Sequence, residues 1–326
     1  MDMSTESNPP RSPRGEVRPS RGATLLVWGA LLLGVTAFGR PTLLPRSEAP
    51  KVERPELVAF EPWDQLPPEL EAQVTEWTDR LLATDPITLN RFLSRQGAYA
   101  GMIRARLRER GMPEDLLYLA MVESGLRPRV MSPDSALGIW QLREATAREF
   151  GLRVDEWVDE RRDPVRATNA ALDYLQHLHD RFGSWPLAAA AYNAGPTRVA
   201  RLLRRHGPEA DARIYWEVVQ HLPRETREYV PRILAARTLA QRAPELGLQV
   251  DYHAPYAFDR VLVPAGTSLW RVSQRIGVEY PVLRDLNPHF LKGVTPPGSA
   301  YPVRVPAGRG SEVVATLTSA RRPGTT

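Results

Sequence analysis

A carboxylate at the end of an apolar helix is the first feature of this chain that could do chemistry. Pro113-Glu114-Asp115 suits a first helical turn, with proline where no amide donor is needed and acids at the positive end of the dipole. Leu116-Leu117-Tyr118-Leu119-Ala120-Met121-Val122 follows without a charge, then Glu123-Ser124, then Gly125 as a stop. A helix that is apolar on every side is buried. Burial penalises the charge on Glu123, and the negative helix terminus repels it, so both effects raise its pKa. A carboxyl that stays protonated near neutral pH is what a general acid requires. The spacing leaves a second reading open, in which Glu123 simply pairs with Arg127 or Arg129.

Other chemistries find little support. The 326 residues include no cysteine, which excludes a disulfide framework, a thiol nucleophile, a cysteine-ligated metal and a cysteine-linked lipid anchor. His177 and His179 form the one close histidine pair, and i, i+2 positions do not share a helical face, so neither a metal nor any other cofactor is expected. No phosphate-binding glycine loop and no Gly-x-Ser-x-Gly nucleophile motif occurs. The net charge of +5 collects at the ends: +2 over residues 1–50, −1 over 51–250 and +4 over 251–326. With its largest region neutral, the chain is not expected to bind nucleic acid. Of 43 basic residues, only Lys51 and Lys292 are lysines.

The elements that must position Glu123 read as helices. Leu70, Val74, Trp77 and Leu81 form a stripe at i, i+4, i+7, i+11, and Leu172, Leu175, Leu178 and Phe182 form another. Breakers recur at Gly111-Met112-Pro113, Gly125, Gly183, Gly195-Pro196 and Gly207-Pro208. The expectation is an all-α domain of about eight helices over residues 66–250. Residues 256–307 read differently: strand-like Arg260–Val263, a helix from Ser268 with Leu269, Val272 and Ile276 inward, a second short helix with Val282, Leu283 and Leu286, and an edge strand Val303–Pro306.

Around Glu123-Ser124 lie four further blocks in order. Ser132-Pro133 leads to Ala136-Leu137-Gly138-Ile139-Trp140-Gln141-Leu142; later come Asp159-Glu160-Arg161-Arg162-Asp163-Pro164, Ala190-Ala191-Tyr192-Asn193-Ala194-Gly195, and Glu225-Thr226-Arg227-Glu228-Tyr229-Val230-Pro231. In this order they resemble the catalytic domain of lytic transglycosylases of the soluble type. The resemblance implies a mainly α, lysozyme-like helical domain that cleaves the β-1,4 bond between N-acetylmuramic acid and N-acetylglucosamine in peptidoglycan. It implies Glu123 as the single catalytic acid. Ser132 and Gln141 would face the muramic acid. Tyr192 would contact the glutamate and position substrate, Asn193 would shape the same wall, and Tyr229 would line the cleft. Read from the residues alone, Tyr192 could instead cap the core with its hydroxyl.

An ordinary glycosidase uses two carboxylates. Near Glu123 in sequence stand only Asp134 and Glu144, neither in a block that matches a second catalytic group. A one-carboxylate site would borrow from the substrate: the N-acetyl oxygen would stabilise the developing cation, and the 6-hydroxyl would attack in place of water. The product would carry a 1,6-anhydromuramic acid end. The rival readings are a hydrolytic muramidase, with Asp134 or another carboxylate activating water, and a non-catalytic wall-binding scaffold.

The flanking regions suggest an envelope protein. Residues 1–21 form a basic leader, Gly22–Gly39 runs 18 residues without a charge, and Arg40 closes the run. As a helix this run spans about 27 Å, just enough to cross a bilayer core. Arginines ahead of it place the rest of the chain outside the cytoplasm, anchored by 22–39 or released as a periplasmic protein after signal cleavage. Residues 40–65, with five prolines, read as a linker. Residues 256–307 resemble a LysM domain, a small α+β glycan-binding module, although Thr267 stands where an acid is usual and Phe290–Tyr301 is long. Residues 308–326 read as a disordered tail.

Overall fold

The computed structural model describes residues 42–44, 68–206 and 214–319. The basic leader, the charge-free run 22–39 and most of the proline-rich segment lie outside these residues. Among the described residues, no helix is long and apolar enough to cross a membrane.

The fold is mainly helical. A short strand β1 (Thr42–Leu44) precedes α1 (Pro68–Leu82), α2 (Pro86–Ser94), α3 (Gln96–Glu109), α4 (Leu116–Ser124), α5 (Glu144–Glu149), α6 (Pro164–Phe182), α7 (Trp185–Ala194), α8 (Pro196–His206), α9 (Ile214–Val219), α10 (Arg224–Arg227) and α11 (Tyr229–Gln241). The C-terminal part adds β2 (Phe258–Val263), α12 (Leu269–Arg275), α13 (Tyr280–Leu286), β3 (Tyr301–Pro306) and α14 (Gly310–Ser319). Among the described residues, the first part holds eleven α-helices where about eight are expected, because α5, α9 and α10 are only four to six residues long and carry no periodic stripe.

Helix α4 is the hub. Leu116 to Met121 are all buried, as an unbroken apolar run demands. It packs against α3 and α11, and α11 in turn packs on α1 and α7. The α6 stripe faces this core, with Leu172, Leu175, Leu178 and Phe182 buried; on α1, Leu70 is buried with Val74 and Leu81 packed beside it, while Trp77 of the same expected stripe lines a cavity instead. The α6 helix is firmly delimited. Asp163 caps its first turn by accepting from the Val165 and Arg166 amides, Pro164 opens it, and Gly183 ends it at φ 68°.

Among the described residues, the C-terminal part is a three-stranded antiparallel sheet in the order β1-β2-β3 with helices against it. Along β2, Asp259, Val261 and Val263 alternate inward. Both helices appear where the sequence places them, but Val282 on α13 is exposed and only Leu283 is fully buried. Two expectations fail here. The tail is not structureless: α14 occupies 310–319, with Val313 and Leu317 buried in the module core and the Asp259 carboxylate accepting from the Gly308 and Gly310 amides at its start. Nor is all of 40–65 a linker, because Thr42–Leu44 pairs with Leu262–Arg260 as an edge strand. A three-residue strand and a ten-residue helix, each completed by residues far away in sequence, leave little local periodicity to read.

The module is fused to the helical part. Its core includes Val158, which bridges to Phe290, and the Leu291 amide donates to the Trp157 carbonyl at 2.9 Å.

Candidate active site

Glu123 lies in the last turn of α4. Gly125 closes that turn in the left-handed region at φ 60°, its amide returning to the Met121 carbonyl. The buried Ser124 donates to the Ile139 carbonyl at 2.8 Å, which ties the helix end to the loop 132–142. The arginine-pairing reading of Glu123 is not the arrangement found. Arg127 turns its Nε to the Ser124 carbonyl at 2.8 Å, and Arg129 donates to the Asp285 carboxylate and the Arg284 carbonyl, each at 2.7 Å.

The Glu123 carboxyl instead receives a hydrogen bond from the Tyr229 hydroxyl. Its side chain keeps some exposed surface while the carboxyl itself is closely surrounded by protein atoms. That desolvation pushes its pKa up to about 7. Hydrogen bonding from Tyr229 and the positive charge of Arg232 pull the other way, and Glu225 adds repulsion. Near neutral pH, therefore, an appreciable share of Glu123 is protonated and able to donate.

The hydroxyl contact with the glutamate expected of Tyr192 is made by Tyr229, at the start of α11. Tyr192, in the last turn of α7, donates to the Trp140 carbonyl at 2.6 Å. Tyr192 still feels the negative charge of Glu123, and burial holds its hydroxyl well above the usual phenol range. Asn193 joins α7 to α10: its Oδ1 accepts from Thr226 at 2.7 Å and its Nδ2 points to Glu225 at 3.5 Å.

Loop 132–142 supports the site from the other side. Trp140 is fully buried, its Nε1 donating to Thr168 Oγ1 at 3.0 Å, and Thr168 donates to the Pro164 carbonyl at 2.6 Å. Gln141 adopts φ 48° and spends its Nε2 on the Val130 and Gly138 carbonyls. Ser132 Oγ accepts from the Ala136 amide at 3.1 Å. Both residues thus hold the loop's shape through these atoms. A Cβ at Gly138 would sit 1.9 Å from the Arg161 carbonyl oxygen, so only glycine fits. Arg161, buried beside Asp159 at 2.7 Å, reaches the Ser135 carbonyl at 3.0 Å. The Asp159–Pro164 block is therefore the underside of this loop.

Asp134 and Glu144 do not serve as partners for Glu123. Both are exposed and ion-paired, to Arg143 at 3.5 Å and Arg148 at 2.8 Å. The carboxylate that does act on Glu123 is Glu225, which sequence proximity missed. Its signal was present in the Glu225–Pro231 block, read only for Tyr229. Among the described residues, no cluster of three or more His, Asp or Glu could hold a metal ion. A cavity of about 440 Å³ between α1, α9 and α10, lined by Trp77, Trp216, Arg224 and Glu228 among others, does not include Glu123.

Residues 101–214 match the transglycosylase SLT domain, and residues 257–322 match the LysM-like domain of lytic transglycosylase MltD. Membrane-bound lytic murein transglycosylase D of Escherichia coli (strain K12) is 32% identical over 191 residues, which are 58% of this chain and 42% of that protein. The soluble lytic murein transglycosylase of the same strain is 34% identical over 122 residues, 36% of this chain and 19% of that one. Peptidoglycan transglycosylase gp16 of Escherichia phage T7 is 38% identical over 104 residues, 31% of this chain and 8% of the phage protein. The chain thus spans less than half the length of each of these relatives. Among solved structures, the 70 kDa soluble lytic transglycosylase SLT70 from Escherichia coli overlaps 54% of this chain and 29% of its own, at 27% identity and a TM-score of 0.39.

Proposed function

We propose that this chain, which contains a transglycosylase SLT domain and an MltD-type LysM-like domain, is a peptidoglycan lytic transglycosylase with Glu123 as its one acid and base. The observation that carries this is a carboxyl at the end of a buried helix, hydrogen-bonded by Tyr229 and held by desolvation at a pKa of about 7. Glu123 protonates the glycosidic oxygen between muramic acid and glucosamine as that bond breaks. The N-acetyl oxygen of the muramic acid stabilises the cation. The carboxylate then takes the proton of the 6-hydroxyl as that oxygen closes on C1. The Tyr229 hydroxyl stabilises the anionic stage between the two transfers. Ser132, Gln141, Tyr192 and Asn193 shape the walls around the sugar through the bonds described above.

A second reading rests on Glu225, whose charge acts on Glu123: a hydrolytic muramidase in which Glu225 directs a water. The product decides between them. Digested sacculi should yield muropeptides lighter by one water than hydrolytic products, and Glu123→Gln should lower their release by about 10²-fold or more, the usual scale of general acid catalysis. Hydrated ends would overturn the lyase reading, and a Glu123→Gln variant near wild-type rate would remove Glu123 from the mechanism. The chain acts at the bacterial cell envelope, on the wall side of the membrane, with residues 22–39 as its anchor or signal segment.

A further inference from the structure

The C-terminal module does more than lie beside the catalytic part. Arg304 of β3 is almost fully buried, and its Nη2 donates to both oxygens of Asp163 at 2.6 Å each. It also donates to the Tyr256 hydroxyl at 3.2 Å and the Leu286 carbonyl at 3.4 Å. Asp163 is the cap of α6. Five residues on, Thr168 holds the Trp140 indole, and the Trp140 carbonyl holds Tyr192. The path from Arg304 to the wall beside Glu123 therefore runs through hydrogen bonds joined by the first turn of α6 and by Trp140 itself. Two further contacts hold the segment that starts α6, and a third joins the loop after α4 to α13. Tyr301 donates to the buried Glu160 at 3.0 Å, the Asp159 amide donates to the His289 carbonyl at 3.0 Å, and Arg129, four residues past Gly125, binds Asp285 of α13.

We propose that Arg304 is a positioning residue for the catalytic site: the module sets the start of α6, and through it the Trp140–Tyr192 wall against which Glu123 works. This rests on the proposed function for its catalytic readout, and on geometry alone for the rest. A buried guanidinium that holds the Asp163 carboxylate through Nη2 while its Nη1 binds the Tyr256 hydroxyl and the Leu286 carbonyl fixes orientation as well as charge, which one ammonium cannot do from a single nitrogen. The groups that face Glu123 are Tyr229 and Arg232 from α11, Tyr192 from α7 and Glu225 from α10. None belongs to the module, so any change in Glu123 on altering Arg304 is transmitted indirectly, through the α6 start and the wall or through α13 and Arg129.

The test is Arg304→Lys in the full chain, with Arg129→Ala beside it. Arg129 is partly exposed, and its loss leaves no buried charge. Each folded variant is assayed for kcat, for the pH dependence of kcat/KM, and for titration of the Glu123 carboxyl by carbon NMR, assigned with Glu123→Gln. A loosened wall admits water, so Arg304→Lys should lower the Glu123 pKa by about half a unit, a threefold change in the ratio, and kcat by about tenfold. Arg129→Ala should move both the same way by less. A smaller folded fraction alone would reduce amplitude without moving the titration. Folded Arg304→Lys with an unshifted carboxyl and kcat within about twofold overturns the proposal; if that variant does not fold, unchanged values for Arg129→Ala overturn it instead. Wild-type protein that releases no anhydro ends refutes the proposed function, yet the NMR titration still decides the positioning role.

Discussion

Replacing Tyr229 with phenylalanine removes one oxygen and isolates one interaction. In the folded chain that oxygen donates to the Glu123 carboxyl, and the bond favours the ionised form. A hydrogen bond to a charged group contributes about 1.5–3 kcal/mol, and one pKa unit corresponds to about 1.4 kcal/mol. Tyr229→Phe should therefore raise the Glu123 pKa from about 7 by roughly one to two units. A general acid acts in its protonated form, present below its pKa. The alkaline limb of kcat/KM, which reports the free enzyme, should move upward by that amount. At the same time kcat should fall, because Glu123 must also become a carboxylate to accept the second proton, and that state has lost its donor. The assay is release of soluble muropeptides from purified sacculi across pH 5 to about 9.5, read beside Tyr192→Phe. Tyr192 spends its hydroxyl on the Trp140 carbonyl and not on Glu123, so its loss should not move the limb upward. If Tyr229→Phe leaves the limb unmoved or shifts it downward, the Tyr229–Glu123 bond does not govern this acid.

Two further outcomes are expected. Gly138→Ala places a methyl group 1.9 Å from the Arg161 carbonyl at a residue with φ 84°, so it should lower stability by several kcal/mol or prevent folding; a thermal midpoint within about 2 °C of wild type would refute the close approach. Residues 22–39 should stay attached and keep the protein in the membrane fraction, a reading that a soluble periplasmic species beginning near Phe38 would replace with a cleaved signal.

The sequence carried the helical part well where burial was one-sided or complete. The α4 run and the α6 stripe are periodic over many residues, and their burial follows. It carried Glu123 for the same reason, since a charge at the end of an apolar helix stands out locally. The partner of Glu123 was harder to read. Tyr192 and Tyr229 both stand in recognisable blocks, and which hydroxyl reaches the carboxyl depends on how α7 and α11 pack against α4, a matter of ångströms that residue types do not encode. Glu225 was hidden by sequence distance, because it lies about 100 residues from Glu123. The Asp159–Pro164 block shows a different limit. Its run of charges looks like a solvated surface, yet Asp159, Glu160, Arg161 and Asp163 are all buried, their partners supplied by a loop before it and a module after it.

The pairing of β1 with β2 dictates an order of events during synthesis. Thr42 meets Leu262, a partner made some 220 residues later. Closing an unfolded loop of that length costs about 5 kcal/mol beyond a constant, more than a three-residue ladder can offset. The pairing becomes affordable only after the helical part has collapsed and shortened the effective loop. β1 must then wait for the last quarter of the chain, and until it docks β2 keeps one edge open. An open edge of this kind accepts a strand from any chain that supplies one, so the short segment just past Arg40 gives two newly made copies a route to exchange strands.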